Sequence, residues 1–266
     1  MGYWDIVKKI VRDADIVMEI VDARFPQQSR NTELEDFVRG SGKKLIIVLN
    51  KSDLISKRNA QKAKDSITER CVFVSARQRS GVKALKIGIE KLVSGDEAKV
   101  AIVGYPNTGK SSIINMLRGR KAARTSSTAG FTRGKQHVRI SNKILLIDTP
   151  GVIPLQESNE TLMAMLSAKN AHQLNDMEGA GMEIAEYLIL NMPETLRGFY
   201  GVEAKDGEEF LEKLAFHRKK LLSGGRPDLN SAARTLIEDF QRGKINENTQ
   251  GKKGAKIVKK RLNEPT

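Results

Sequence analysis

Residues 104–112 read GYPNTGKSS, a match to the pattern G-x-x-x-x-G-K-[ST]. The apolar run KVAIVG leads into it and the helix-compatible SSIINMLRG leads out. A strand, a glycine-bearing turn and a helix in that order make a cradle for phosphate: successive backbone amides point inward and the helix adds its positive end. Gly104 and Gly109 let the backbone curl, Lys110 can reach the β- and γ-phosphates, and the Ser111 hydroxyl can hold magnesium. Asn107, Thr108 and Ser112 complete the candidate loop. Such a loop belongs at the carboxyl end of a strand in a parallel α/β sheet, so the long segment preceding it has to be explained.

That segment itself reads as alternating strands and helices. DIVMEIVDA (15–23), KLIIVLN (44–50), CVFVSA (71–76) and KVAIVG (99–104) are short, near-continuous apolar runs, as expected of strands covered on both faces. Helical stretches are expected at about 31–40, 57–70 and 81–93, and the alternation predicts a mainly parallel α/β sheet. QHVRI (136–140) and KILLIDT (143–149) are separated only by SN, which predicts a hairpin adding one antiparallel strand. After Pro154 the pattern is helical, clearest in LNSAARTLIEDF, with Asp228 placed to cap its amides. The expected organisation is a P-loop domain over 1–155, a small all-helical domain over 156–245 and a flexible basic tail over 246–266.

Other motifs fall at the expected strand ends. NKSD supplies Asn50, Lys51 and Asp53; the carboxylate can accept hydrogen bonds from N1 and the amino group of guanine, for which adenine has no matching donor pair. Lys51 can lay its stem along the base, and Asn50 can tie this loop to the phosphate loop. SAR, Ser75–Arg77, ends the next strand, where the Ala76 amide can meet the guanine carbonyl oxygen. DTPG places Asp148 at the end of an apolar strand, suited to holding magnesium directly or through water, and offers the Gly151 amide to the γ-phosphate. TSSTAGFTRG is the candidate first switch; Thr132 is favoured to close over magnesium, with Thr128 and Thr125 as rivals.

Charge narrows the partners. Of a net +14, residues 101–150 contribute nine Lys/Arg against Asp148 alone, while 151–250 carry eleven bases and sixteen acids; six further bases crowd the last sixteen residues. A polyanion such as RNA fits that distribution, although a solvated charged surface gives the same count. Lys213, His217, Arg218, Lys219 and Lys220 are expected to form a basic cluster on one helix, and Arg226 and Arg234 flank the GGRPD turn. No apolar run is long enough to cross a bilayer and no signal-peptide core is visible, so a cytoplasmic protein without membrane attachment is expected. The single Cys71 reads as a core residue, and three scattered histidines have no zinc spacing.

NKSD and SAR come before GYPNTGKSS, GFT and DTPG, opposite to the ordinary arrangement, in which the phosphate loop comes first. This order resembles the circularly permuted GTPases of ribosome assembly that act on the large subunit. DIVMEIVDARFP and SRN are similar to that family's opening, and GGRPDLNSAARTLIEDFQRGK to its closing helical segment. The resemblance implies a GTPase that converts GTP to GDP and phosphate with magnesium. It also implies stimulation by a large ribosomal subunit precursor and its rRNA, with the chain a monomer away from the ribosome. In it Lys110, Thr132 and Gly151 serve catalysis, and Asn107 holds potassium or else merely stabilises the loop. Val152 stands where many GTPases carry a water-orienting glutamine, so turnover without a partner is expected to be slow. YWDIVKK lacks the histidine found near the amino terminus of bacterial relatives, and Ala129 replaces a proline common in the first switch. The competing expectation is a GTP-gated adaptor that binds a protein or anionic surface with negligible hydrolysis.

Overall fold

All seven residues of β1 (Ile16–Asp22) are buried, because the strand has neighbours on both sides and helices on both faces. Its register is parallel to β2 (Lys44–Asn50) on one side and to β4 (Ala98–Val103) on the other. The computed structural model describes residues 3–122, 136–148 and 159–248. β3 (Cys71–Phe73) extends the sheet beyond β2, and β6 (Ile144–Asp148) and β5 (Gln136–Ser141) extend it beyond β4, giving the order β3-β2-β1-β4-β6-β5. Among the described strands only β5 runs antiparallel, as the short SN link requires, with a register irregularity between Arg139 and Ser141. The result is an α/β P-loop fold with a mostly parallel sheet.

Alternate side chains of the strands serve two cores. Ile16, Met18, Ile20, Ile46, Val48, Val100 and Ile102 pack with Leu85 and Ile89 of α4 (Val82–Glu90) and with Ile113 and Leu117 of α5 (Lys110–Ala122). Val17, Ala101, Val103 and Ile147 face the other way, toward α1 (Tyr3–Asp13) and α2 (Thr32–Gly40). The second helix starts where Asn31 accepts from the Leu34 amide at 2.7 Å and where Glu33 and Glu35 favour the positive helix end. The first was not anticipated, although Trp4, Val7, Ile10 and Val11 sit on one helical face and Val7, Ile10 and Val11 are buried. The third, α3 (Lys57–Asp65), is shorter than expected.

The chain forms two compact units. One contains described residues 3–53, 57–122 and 136–148; the other contains 54–56 and 159–248. The second is helical: α6 (Glu160–Met165), α7 (Met177–Asn191), α8 (Pro193–Tyr200), α9 (Gly207–His217) and α10 (Leu229–Gln241). Asp228 caps α10 by accepting from the Ser231 amide at 2.9 Å, and Ala232, Ala233, Leu236, Ile237 and Phe240 are buried. Beyond Gly243 the sequence is too poor in apolar residues to predict packing, yet Ile245 is fully buried. Ser56 N donates to Glu247 Oε2 at 2.6 Å and Asn248 Nδ2 to the Ile55 carbonyl at 2.9 Å, so residues 54–56 belong structurally to this unit.

Met18, wholly buried at the centre of the sheet, sets the expected scale of core stability. Met18→Ala should destabilise the protein by about 2–5 kcal/mol, read as a lower midpoint in urea unfolding.

Candidate functional site

Parallel strands deliver their following loops to one edge of the sheet. β1, β2, β3, β4 and β6 therefore bring Asp22, Asn50, the segment after Phe73, Gly104 and the backbone of Asp148 to that edge. The chain leaves β1 toward β2 and β3, whereas β4 and β6 lie on its other side, so a crevice opens between the ends of β1 and β4.

Two glycines hold the phosphate loop in shape. Gly104 has φ +147° and a Cβ there would lie 2.6 Å from the Ile20 carbonyl oxygen; Gly109 has φ +100° and a Cβ would lie 2.1 Å from Asn50 Nδ2. Both sites require a residue without a side chain, one for passage over β1 and the other for the approach of Asn50. Asn107 also adopts positive φ, at 56°. Thr108 Oγ1 donates to the Tyr105 carbonyl at 2.9 Å and closes the turn from inside. Lys110 Nζ donates to the carbonyl oxygens of Gly104 at 2.9 Å and Tyr105 at 2.5 Å. Burial pulls this ammonium down to about 8. A buried ammonium resting on carbonyl oxygens gains most from an incoming anion, which is what a phosphate loop needs. Ser111 and Ser112 follow in the first turn of α5 and are exposed.

Asn50 joins three loops. Its Nδ2 donates to the Thr108 carbonyl at 2.7 Å, and its Oδ1 accepts from the Ala76 amide at 3.1 Å. Residues read from sequence as base-selecting and phosphate-binding, 58 positions apart, are thus fastened to each other. The Ala76 amide, expected to meet a guanine carbonyl oxygen, is committed here to Asn50 and supports that side chain. Ser75 is fully buried; its hydroxyl donates to Asp53 Oδ1 at 2.6 Å and accepts from the Gln78 amide at 3.0 Å. The serine of SAR consequently orients the carboxylate of NKSD.

Sequence reading missed the supports beneath these loops. Glu19 is fully buried within β1, and its Oε1 accepts from the Asn31 amide at 2.8 Å. Burial, with Glu35 nearby, raises its pKa well above the usual carboxylate range. Asn31 Nδ2 in turn donates to the Tyr105 hydroxyl of the phosphate loop at 3.2 Å. The only trace of this in sequence is an acidic residue inside an otherwise apolar strand.

Ser111 and Asp148 carry the hydroxyl and carboxylate oxygens that a hard cation such as magnesium takes, and in that respect the donor set fits. The Asp148 side chain, Thr132, Thr125, Thr128, Ala129, Gly151 and Val152 lie outside the described residues. In the helical unit the basic cluster is not one helical face. α9 ends at His217, and Lys219 has left-handed φ. Lys213 pairs with Glu209 at 2.8 Å, and Arg218 lies over the Tyr200 ring at 5.6 Å. Arg226 and Arg234 are exposed.

Asn50→Ala should leave the Thr108 carbonyl and the Ala76 amide without their partner. The expected cost is about 1–3 kcal/mol in thermal or chemical unfolding, from one buried and one partly buried polar group losing their hydrogen bonds.

Comparison with known proteins places this geometry. Residues 99–194 match the family described as 50S ribosome-binding GTPase. An uncharacterized GTP-binding protein of Methanocaldococcus jannaschii is 39% identical over 91% of this chain and 65% of its own length. A guanine nucleotide-binding protein-like 3 homolog of Caenorhabditis elegans is 30% identical over 92% of this chain and 49% of its own. The chain therefore spans about half to two thirds of the length of these relatives. The GDP-bound structure of TM YlqF superposes with a TM-score of 0.67 at 25% identity, covering 90% of this chain and 95% of that one. GNP-bound YlqF from T. maritima shares the fold, with a TM-score of 0.65. With its base-selecting motifs ahead of the phosphate loop and both gathered at one sheet edge, the chain has a circularly permuted P-loop GTPase fold, and its residues 99–194 are a GTPase domain of the ribosome-binding type.

Proposed function

We propose that this protein binds GTP and hydrolyses it to GDP and phosphate as a switch in assembly of the large ribosomal subunit, with a ribosomal precursor and its rRNA as partner. The observation that carries the nucleotide half of this reading is the Asn50 bridge, which sets NKSD and GYPNTGKS side by side. Asp53, whose carboxylate accepts from the Ser75 hydroxyl, would accept from N1 and the amino group of guanine. The loop amides and Lys110 take the phosphates, and Lys110 gives its positive charge to the β- and γ-phosphate oxygens as the terminal bond breaks.

Magnesium, held by Ser111, Asp148 and Thr132, would neutralise charge on the β- and γ-phosphate oxygens. Thr132 and the Gly151 amide read the γ-phosphate, and their release on hydrolysis resets the segments that follow. With Val152 in the usual place of a water-orienting glutamine, the chain relies on its partner for rapid turnover. Asn107 is the residue that would hold potassium near the phosphates.

The ribosomal half rests on names and charge. The matching domain family is described as ribosome-binding, relatives include nucleolar GTP-binding proteins, and the chain has a formal charge of +14. Among the described residues no helix is long and apolar enough to cross a membrane. An RNA-bearing partner suits these features better than a lipid surface.

Turnover measured with and without purified large ribosomal subunits, at low and high potassium, should rise at least about tenfold when subunits are added. Equal rates in every mixture would favour a GTP-gated adaptor instead. Asp53→Asn should weaken GTP binding by about 100-fold or more while improving xanthosine triphosphate, because the amide can donate to the second carbonyl of xanthine. Unchanged GTP affinity in this variant would remove Asp53 from base selection.

A further inference from the structure

The segment DAR, which begins with the last residue of β1, has no part in the mechanism above, yet its aspartate reaches into the base-selecting motif. Asp22 ends β1 directly opposite Asn50, the last residue of β2. Its carboxylate is fully buried, and its Oδ2 lies 2.8 Å from Lys51 Nζ. The carboxylate's own position is fixed from several sides. Arg24 donates to Oδ1 from its backbone amide and from Nε, each at 3.0 Å, and from Nη2 to Oδ2 at 2.8 Å. The Asp22 amide donates to Ser29 Oγ at 3.0 Å, and Ala23 N donates to the Asn50 carbonyl at 2.8 Å. Arg24 is itself held over the Phe25 ring at 5.5 Å.

Lys51 needs such an anchor for two reasons. Its φ is +62°, a left-handed conformation that a residue with a side chain adopts only when its surroundings impose it. Its side chain is mostly buried, which disfavours the ammonium, and Arg24 repels it further. Asp22 opposes both effects: it supplies the neutralising charge and fixes the direction in which the lysine extends. Two cations on one buried carboxylate also make the arrangement directional, because bidentate Arg24 leaves Lys51 the remaining lone pairs of Oδ2.

We propose that Asp22 is a positioning residue of the nucleotide site, anchoring the Lys51 ammonium so that the lysine stem forms a fixed wall of the purine pocket between Asn50 and Asp53. The DAR segment thus preorganises base recognition from a strand that contributes no motif to nucleotide contact. This inference rests on the guanine-binding reading, and the two can fail separately.

The test is a double-mutant cycle read by fluorescent GDP and GTP binding, using Asp22→Asn, Lys51→Met and the double variant. Asp22→Asn should weaken GDP and GTP alike by about 10- to 100-fold, mostly through faster release, since the lost support is on the base side. Lys51→Met should show a loss of similar size. The double variant should bind as Lys51→Met does, because Asp22 acts through Lys51. Wild-type affinity in Asp22→Asn would overturn the proposal. So would a double variant more than about tenfold weaker than Lys51→Met, which would mean that Asp22 acts by another route. If Asp22→Asn alone does not fold, the comparison of the double variant with Lys51→Met decides, since that pair leaves no unpaired lysine charge. Failure of the wild-type protein to bind either nucleotide would instead sink the proposed function.

Discussion

The side-chain amide of Asn50 is the fastening on which the site depends. One end donates to the phosphate loop at Thr108, and the other accepts from Ala76 in the loop after β3. The bond to Thr108 is buried and that to Ala76 partly so, and breaking the first leaves a polar group that water cannot reach. The steric demand at Gly109 is the counterpart of this contact, because a methyl group there would occupy the position of the Asn50 nitrogen. A loop that binds phosphate and a loop that selects a base become one rigid surface through a single residue. Asp53, Ser75 and Lys51 are then arranged around it.

Chain order has little influence on that surface. A parallel sheet presents the carboxyl ends of its strands at one edge whichever strand the chain enters first. Here the chain enters at β1, completes β2 and β3, and only then crosses to β4, which carries the phosphate loop. The physical requirement is that β1 and β4 be neighbours, which their register from Ile16–Val100 to Glu19–Val103 satisfies. The same adjacency puts Glu19 and Asn31 under Tyr105, so the strand at which the chain enters braces the loop that follows β4.

Much of this was legible in the sequence, and the limits are physical. β1, β2 and β4, largely buried, leave continuous apolar runs and were visible for that reason, because burial on two sides admits few polar residues. GYPNTGKSS and NKSD were legible because glycine at positive φ and a carboxylate suited to guanine restrict which residues can stand there. α1 was missed although its buried face is regular; its polar face dominates the local composition. The links Glu19–Asn31–Tyr105 and Asp22–Lys51 could not be read, since they join residues between 12 and 74 positions apart and depend on strand register. The packing of 54–56 with the residues after Gly243 was hidden for the same reason: hydrogen bonds to backbone leave no mark in residue type.

The central claim is that base selection and phosphate capture meet in a single site despite their inverted order in the chain. Calorimetric titration of the protein with GDP and with ADP in magnesium tests it most directly. The account predicts tight, saturable binding of GDP and affinity for ADP lower by about a thousandfold or more, as expected when the base set against the Asp53 carboxylate brings no matching pair of donors. Equal affinity for the two nucleotides would contradict it.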